Sequence, residues 1–510
     1  MKILYLPLDE RPCNWQYPQA IAALQPDLEL ITPPQSLLGQ KKQPAKLDQL
    51  WQWLSSSAAG CDGLIISIEM MVYGGLLPSR LHDEPIDELL DRLNLLRQLK
   101  TEKPNLFILA SNLVMRSPTY NSSEEEPDYY EEFGESIFRW GWLTDKGDRE
   151  ELTVEETLEL EILNERIPSD DLSDYRLRRI TNGTLNQAVI DLVQGGVIDF
   201  LSIPQDDSAE YGFTAIDQRK IYGAIAQKRL QHKIHVYPGA DEVGCTLLSH
   251  AYVHYYRRKF PIKIYPLFSS IHGETIIPLY EDRAFGESLK AHVLAAGALL
   301  TTDLEAADFV LAINTSGKVM QEAWDQETKA ITYFTGRNLR YFTATIAHLI
   351  QQGKPVAIAD VAFANGGETE LIEMLDDQGC LDQLIAYTGW NTACNTLGTA
   401  IATGILSLGT SNGREIQRNL IHHLLEDWLY QSMVRSQIIN DYLPTIDASY
   451  YDFNGQDQAI AQTVTETLLE QWRSRLHNSF KATPFKLQTL TFPWHRMFEI
   501  DLEVVLEDSP

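Results

Sequence analysis

Cysteine is scarce: five residues, Cys13, Cys61, Cys245, Cys380 and Cys394, lie scattered along 510, with no Cys-x-x-Cys spacing. An odd, dispersed set fits neither a disulfide framework nor a zinc knuckle, and suits reduced thiols in a cytosol. Basic residues are also few, 42 against 71 acids, for a formal net charge of −29. Such a surface repels a phosphate backbone, so no nucleic-acid partner is expected. Long apolar runs are missing. No window offers the ~18 uninterrupted apolar residues of a membrane span. The start, MKILYLPLDERP, turns to charge after a short apolar run and has no small-residue cleavage site, unlike a secretory signal. The expected compartment is the cytoplasm, with no membrane partner. Also absent are a Gly-x-Ser-x-Gly elbow, a phosphate-binding Gly-x-x-x-x-Gly-Lys loop and a Gly-x-Gly-x-x-Gly turn after a strand. Their absence argues against a serine hydrolase and against the common nucleotide sites.

What is present is a repeating alternation. Short runs of β-branched and aromatic residues (KILYLPL, LELIT, GLIISIE, LFILAS, VIDFLSIP, KIHVYPG, IKIYPLF, FVLAINT, PVAIADVAF, QLIAYTG) are read as strands. Between them lie helix-like stretches such as Ile86–Lys100, Thr184–Gln194, Asp217–Leu230, Leu339–Gln352 and Thr369–Asp376. Strand–helix units of this kind predict an α/β fold, and strands apolar throughout predict burial on both faces. The first six strands suggest a (β/α)-barrel-like domain over 1–260, because so many of them end in polar residues, as at a barrel's mouth, although a single long doubly wound sheet fits the pattern almost as well. An acidic, Tyr-rich and then helical segment, 122–180, reads as an insertion walling a cleft. A Rossmann-like lobe is expected over 261–408, followed by a helical and α+β C-terminal extension over 409–510.

The leading chemical candidates are Asp206 and Asp207 in IPQDDSAEYG, directly after an apolar strand. Adjacent carboxylates repel if both ionise, so one is expected to hold its proton to higher pH. Such a split pair supplies the acid and the anion that glycoside cleavage needs. The bland alternative is an Asp that caps the next helix. Asp241 and Glu242 in PGADEVG end the next strand and offer a second pair. Residues at other strand ends would hold the ligand: Asp9, Glu10, Arg11 and Asn14; Glu69, Tyr73 and Arg80; Asn112 and Arg116. From the second half come Asn365, and Trp390 with Asn391, where a ring beside amides suits a sugar. Core packing of Trp390, with Asn391 as a helix cap, is the competing reading. Near the C-terminus, Trp494, His495, Arg496 and Glu499 form a further polar group that packing explains equally well.

The blocks PLDERPCN, MVYGGLLPSR, PQDDSAEYG, PGADEVG, ANGG and GWNTACNTLGTA occur in this order along nearly the whole chain. Together they resemble an uncharacterised bacterial family of about this length, classed as a domain of unknown function, and that resemblance implies no activity. A shorter one concerns glycosidases acting on 2-acetamido sugars. Asp206–Asp207 resembles the adjacent Asp pair of one such group, and Gly239–Glu242 is similar to the Gly-Gly-Asp-Glu of another. The resemblance implies that the first acid orients the acetamido group and the second protonates the leaving oxygen. The expected function is therefore a sugar-processing hydrolase, with a small-molecule sugar as partner and no cofactor. Two alternatives stay open: a metal-dependent hydrolase or lyase with Asp206, Asp207 and Asp241 on Mg²⁺ or Mn²⁺, and a non-catalytic metabolite-binding protein.

Overall fold

Strands apolar along their whole length need cover on both faces. In the computed structural model of the chain, which describes residues 1–256 and 260–507, they form two all-parallel sheets. The chain divides into two compact units. The first is Met1–Glu10, Glu29–Leu247 and Tyr280–Asp282; the second is Arg11–Leu28, Leu248–Leu279 and Arg283–Pro510.

In the first unit, β1 (Lys2–Leu6), β2 (Glu29–Ile31), β3 (Gly63–Ser67), β4 (Phe107–Ser111), β5 (Phe200–Gln205) and β6 (Ile234–Pro238) make one sheet in the order β2-β1-β3-β4-β5-β6. Every residue of β3 and β5 is buried, whereas no residue of the short edge strand β2 is. The expected barrel does not form among the described residues. Its physical reason lies in β1, which pairs with β2 on one side and β3 on the other. Both hydrogen-bonding edges of β1 are therefore occupied, which leaves the short β2 and β6 as the two edges of the sheet, and these do not pair with each other. In an open parallel sheet, ligands sit outside the carboxyl ends of the strands.

Helices cover the strands through regular apolar spacing. In Ile86–Glu102, the buried Leu89, Leu93, Leu96 and Leu99 recur every three or four residues, so one stripe faces inward. The segment between β4 and β5 folds as three helices, Tyr130–Arg149, Val154–Arg166 and Ser169–Gln194. Thr153 opens the second with a reciprocal capping box to Glu156. Tyr130, Ile137, Leu143 and Tyr175 of this segment form an apolar cluster with Phe213, which follows β5.

In the second unit, β7 (Ile262–Phe268), β8 (Ala298–Leu300), β9 (Phe309–Thr315), β11 (Val356–Val361) and β13 (Ala386–Thr388) form a parallel sheet ordered β13-β11-β9-β7-β8. Two further residue pairs, β10 (Gln321–Glu322) and β12 (Phe363–Ala364), lie beside each other. Both faces of the sheet are covered. A Cβ on Gly404 of the helix Ala393–Ser407 would meet Phe309 and Ala357, whereas the alternate residues Val310, Ala312, Val356 and Ile358 join Leu339, Phe342 and Ile346 of another helix. The C-terminal part is helical and then closes in an antiparallel hairpin, β14 (Phe485–Thr491) with β15 (Asp501–Leu506). The helix Gly413–His423 continues as a π-helix over Leu424–Val434, a geometry frequent at functional sites. Among the described residues, no helix is long and apolar enough to cross a membrane.

Candidate functional site

The turn after β3 is shaped by a buried acid. Ser67 caps the short helix Ile68–Val72 through Met70 N at 3.3 Å and donates to Glu69 Oε2 at 3.1 Å. Glu69 Oε1 accepts from Asn112 Nδ2 at 2.8 Å and from the Leu113 amide at 2.7 Å, both just past β4. Burial raises the Glu69 pKa, against the lowering effect of these hydrogen bonds. Asn186, on the insertion, donates to Asn112 Oδ1 at 2.6 Å. Glu69 and Asn112, both expected at the site, thus lock two strand ends to the insertion helix.

Arg80 reaches its place through a glycine pair. Gly74 has φ +90°, and a Cβ there would lie 2.6 Å from the Ala45 amide nitrogen, so only glycine fits without displacement. The chain then enters Leu76–Leu81, which carries Arg80. Asn182 of the insertion pins this short helix, donating to the Ser79 carbonyl at 2.9 Å and accepting from Tyr73 Oη at 2.8 Å. Arg116 is fixed from below. Its carbonyl accepts from Arg179 Nη1 at 2.8 Å, the Met115 carbonyl accepts from Arg179 Nη2 at 2.7 Å, and Val114 N donates to the Pro204 carbonyl at 2.9 Å.

Two guanidinium groups and four carboxyl groups meet here. Arg80, 2% exposed, pairs with Asp206, with Glu125 at 3.0 Å and with Glu126 at 3.4 Å. Arg116 pairs with Glu126 at 2.7 Å, Glu125 at 2.9 Å and Asp207 at 3.4 Å. Glu126 is 1% exposed, and its second oxygen has no hydrogen-bond partner. Asp207 stands at the turn out of β5 in a left-handed conformation, φ +41°, which costs a non-glycine residue and is common at functional sites. Its pKa is pushed up to about 7, first by burial and then by the neighbouring Asp206 charge, against the opposing pull of Arg116 and Arg80. It is therefore a proton donor and acceptor poised near neutral pH. A narrow cavity beside Arg80 and Asp206, also lined by Glu69, Tyr73 and Asn112, has a free core of about 10 Å³, the room of a single water.

Seven of the expected residues thus gather in one place: Glu69, Tyr73, Arg80, Asn112, Arg116, Asp206 and Asp207. Asp241 and Glu242 are buried just past β6 in the same unit, and Gly239 N ties that turn to the Gln205 carbonyl at 3.1 Å. Asp9 is buried after β1, and Glu10 accepts from the Lys41 amide at 2.7 Å. Arg11, Asn14, Asn365, Trp390 and Asn391 belong to the second unit. There Arg11 pairs with Glu499 at 3.8 Å and lies 4.7 Å from the centre of the Trp494 ring. Asn14 Nδ2 donates to Cys13 Sγ at 3.6 Å. Asn365 donates to Glu322 at 2.9 Å, and its amide bonds the Asn391 carbonyl at 2.9 Å. Trp390 is buried, edge-on to Tyr17 and Phe498.

Glu125 and Glu126 escaped the sequence reading, although they lie in the acid run SSEEEP that opens the insertion. The available signal was two arginines after neighbouring strands, which must find anions if buried. Among the described residues, no group of three or more His, Cys, Asp or Glu side chains is placed to hold a metal ion.

Residues 3–503 match the model of the family described as a protein of unknown function, DUF4127. The chain belongs to that family. No curated protein matches it.

Proposed function

We propose that this DUF4127 protein is a sugar-processing hydrolase of the cytoplasm, a glycoside hydrolase for 2-acetamido sugars in which Asp207 moves the proton. The observation that carries the reading is the Asp207 carboxyl, with a pKa of about 7 beside Asp206 and at the carboxyl end of β5. Glycoside cleavage needs one carboxyl that gives up its proton near neutral pH and one that remains an anion. Asp206, held by Arg80, is assigned the second role and orients the substrate's acetamido group. Asp207 gives its proton to the leaving oxygen as the bond from that oxygen to the anomeric carbon breaks. The acetamido carbonyl oxygen closes on the anomeric carbon, and a water then opens this ring while Asp207 takes the water's proton.

Charge supports a hydroxyl-rich substrate. Glu125, Glu126, Asp206 and Asp207 outnumber Arg80 and Arg116, so the cluster disfavours phosphorylated or acidic ligands. Guanidinium groups already occupy Asp206 and Asp207, which gives a metal ion no advantage there.

The test is turnover of a panel of 4-nitrophenyl glycosides that includes 2-acetamido-2-deoxy sugars. Asp207→Asn should lower kcat by about 10²–10⁴-fold with folding intact. Unchanged turnover in Asp207→Asn would overturn the proposal.

A further inference from the structure

The second unit has a groove of about 600 Å³, within the range of small-molecule sites. Its walls follow the carboxyl ends of β9 and β11, where parallel sheets hold their ligands. Glu368 makes that link. It accepts from Asn314 of β9 at 2.8 Å, its amide donates to Asp360 of β11 at 2.6 Å, and it pairs with Lys329 of the groove at 3.3 Å. Gln326 accepts from the Thr369 amide at 2.9 Å, which ties the loop after β9 to the helix Thr369–Asp377. A further wall is π-helical: Leu424–Val434 presents Ser432 and Met433, and Ile438–Tyr442 presents Asn440 and Asp441. Such turns are rare and recur at functional sites.

Trp324 lines this groove and is 46% exposed, whereas Trp390, the ring expected from the sequence to carry a sugar, is buried. The Arg435 guanidinium lies 5.2 Å from the centre of the Trp324 ring and donates to the Phe498 carbonyl at 3.1 Å, which holds the indole in place. The exposed part of the ring is a rigid apolar surface, suited to the C–H face of a sugar. Around it stand Ser436, Gln437 and Asn440, whose side chains both donate and accept. Hydroxyl groups also do both, so they match these partners.

Charge argues against an anionic ligand. Lys329 is held by Glu368 at 3.3 Å and Glu370 at 2.7 Å, and Arg475 by Glu373 at 2.6 Å. Both cations of the groove are therefore already neutralised, and Glu327 and Asp441 add negative charge that repels a phosphate or a carboxylate.

We propose that this groove binds an uncharged sugar, its ring stacked on Trp324 and its hydroxyls on Ser436, Gln437 and Asn440. Asp206 and Asp207 belong to the first unit, so this is a second site, and it stands whether or not Asp207 cleaves glycosides.

Fluorine NMR of the full chain labelled with 5-fluorotryptophan reads the site directly, the Trp324 resonance being the one absent from Trp324→Phe. The probes are glucose, galactose, N-acetylglucosamine and cellobiose, with glucose 6-phosphate and spermidine as charged counterparts. At least one neutral sugar should shift that resonance saturably, and glucose 6-phosphate should bind roughly tenfold more weakly than that sugar. Gln437→Ala and Asn440→Ala, both at exposed positions, should each weaken the binding about three- to tenfold, and Asp207→Asn should leave it unchanged. A Trp324 resonance that no neutral sugar moves overturns the proposal. So does one that spermidine or glucose 6-phosphate moves at lower concentration than every neutral sugar, and so does binding that both alanine variants leave unchanged.

Discussion

Replacing Asp207 with asparagine should flatten the pH dependence of the protein's stability. The folded carboxyl has a pKa of about 7 against an ordinary value of 3.8, so between those limits the folded state holds a proton that the unfolded chain has released. Its contribution is then fully present below the ordinary value and is lost as pH rises through about 7. At ~1.4 kcal/mol for each pH unit, the difference between the two values sets a ceiling of about 4 kcal/mol. The side chain is 26% exposed and pairs with Arg116 at 3.4 Å, so solvent and the ion pair reduce the effect. A loss of about 1–2 kcal/mol between roughly pH 5 and pH 8 is the working figure. Asparagine has no proton to release and should remove most of that loss, leaving the variant relatively more stable on the alkaline side. Urea unfolding of both proteins across this range measures the difference. If the two lose stability in parallel as pH rises, the assigned Asp207 environment is wrong.

Glu126→Gln should destabilise the protein by about 3 kcal/mol in urea unfolding, because one buried oxygen serves both Arg80 and Arg116 and a neutral amide leaves their charges poorly matched. Equal stability would mean that Glu125 and the two aspartates suffice to neutralise the arginines. Gly74→Ala should cost about 1–3 kcal/mol, from its positive φ and the close Ala45 amide, with turnover falling as Arg80 shifts. Normal stability in that variant would contradict the turn geometry.

The strands were legible because parallel strands covered on both faces are apolar throughout, as in GLIIS and FVLAINT. Barrel or open sheet was not legible, since it depends on whether the two edge strands pair, and β2, short and half-exposed, is not paired with β6. The Asp206–Asp207 pair stood out because both acids follow a buried strand at once. Glu125 and Glu126 did not, because an acid run ordinarily marks a solvated face, and it is the pairing with Arg80 and Arg116 that marks these as buried. Asn182 and Asn186 were equally silent: on a long helix their polarity resembles an exposed side until Ser79 and Asn112 cover it. Arg11 and Asn14 were grouped with Asp9 and Glu10 by sequence proximity, yet the boundary between the two units falls between Glu10 and Arg11.

The central claim is that Asp207 is the acid and that Asp206 tunes it. Its most direct test is the pH profile of kcat/KM on the best glycoside of the panel, for the parent and for Asp206→Asn. The parent's kcat/KM should fall on the alkaline side above about pH 7, as Asp207 loses its proton. In Asp206→Asn, where the neighbouring charge that helps raise Asp207 is gone, this limb should move to lower pH. A limb in the same place in both proteins would contradict the account.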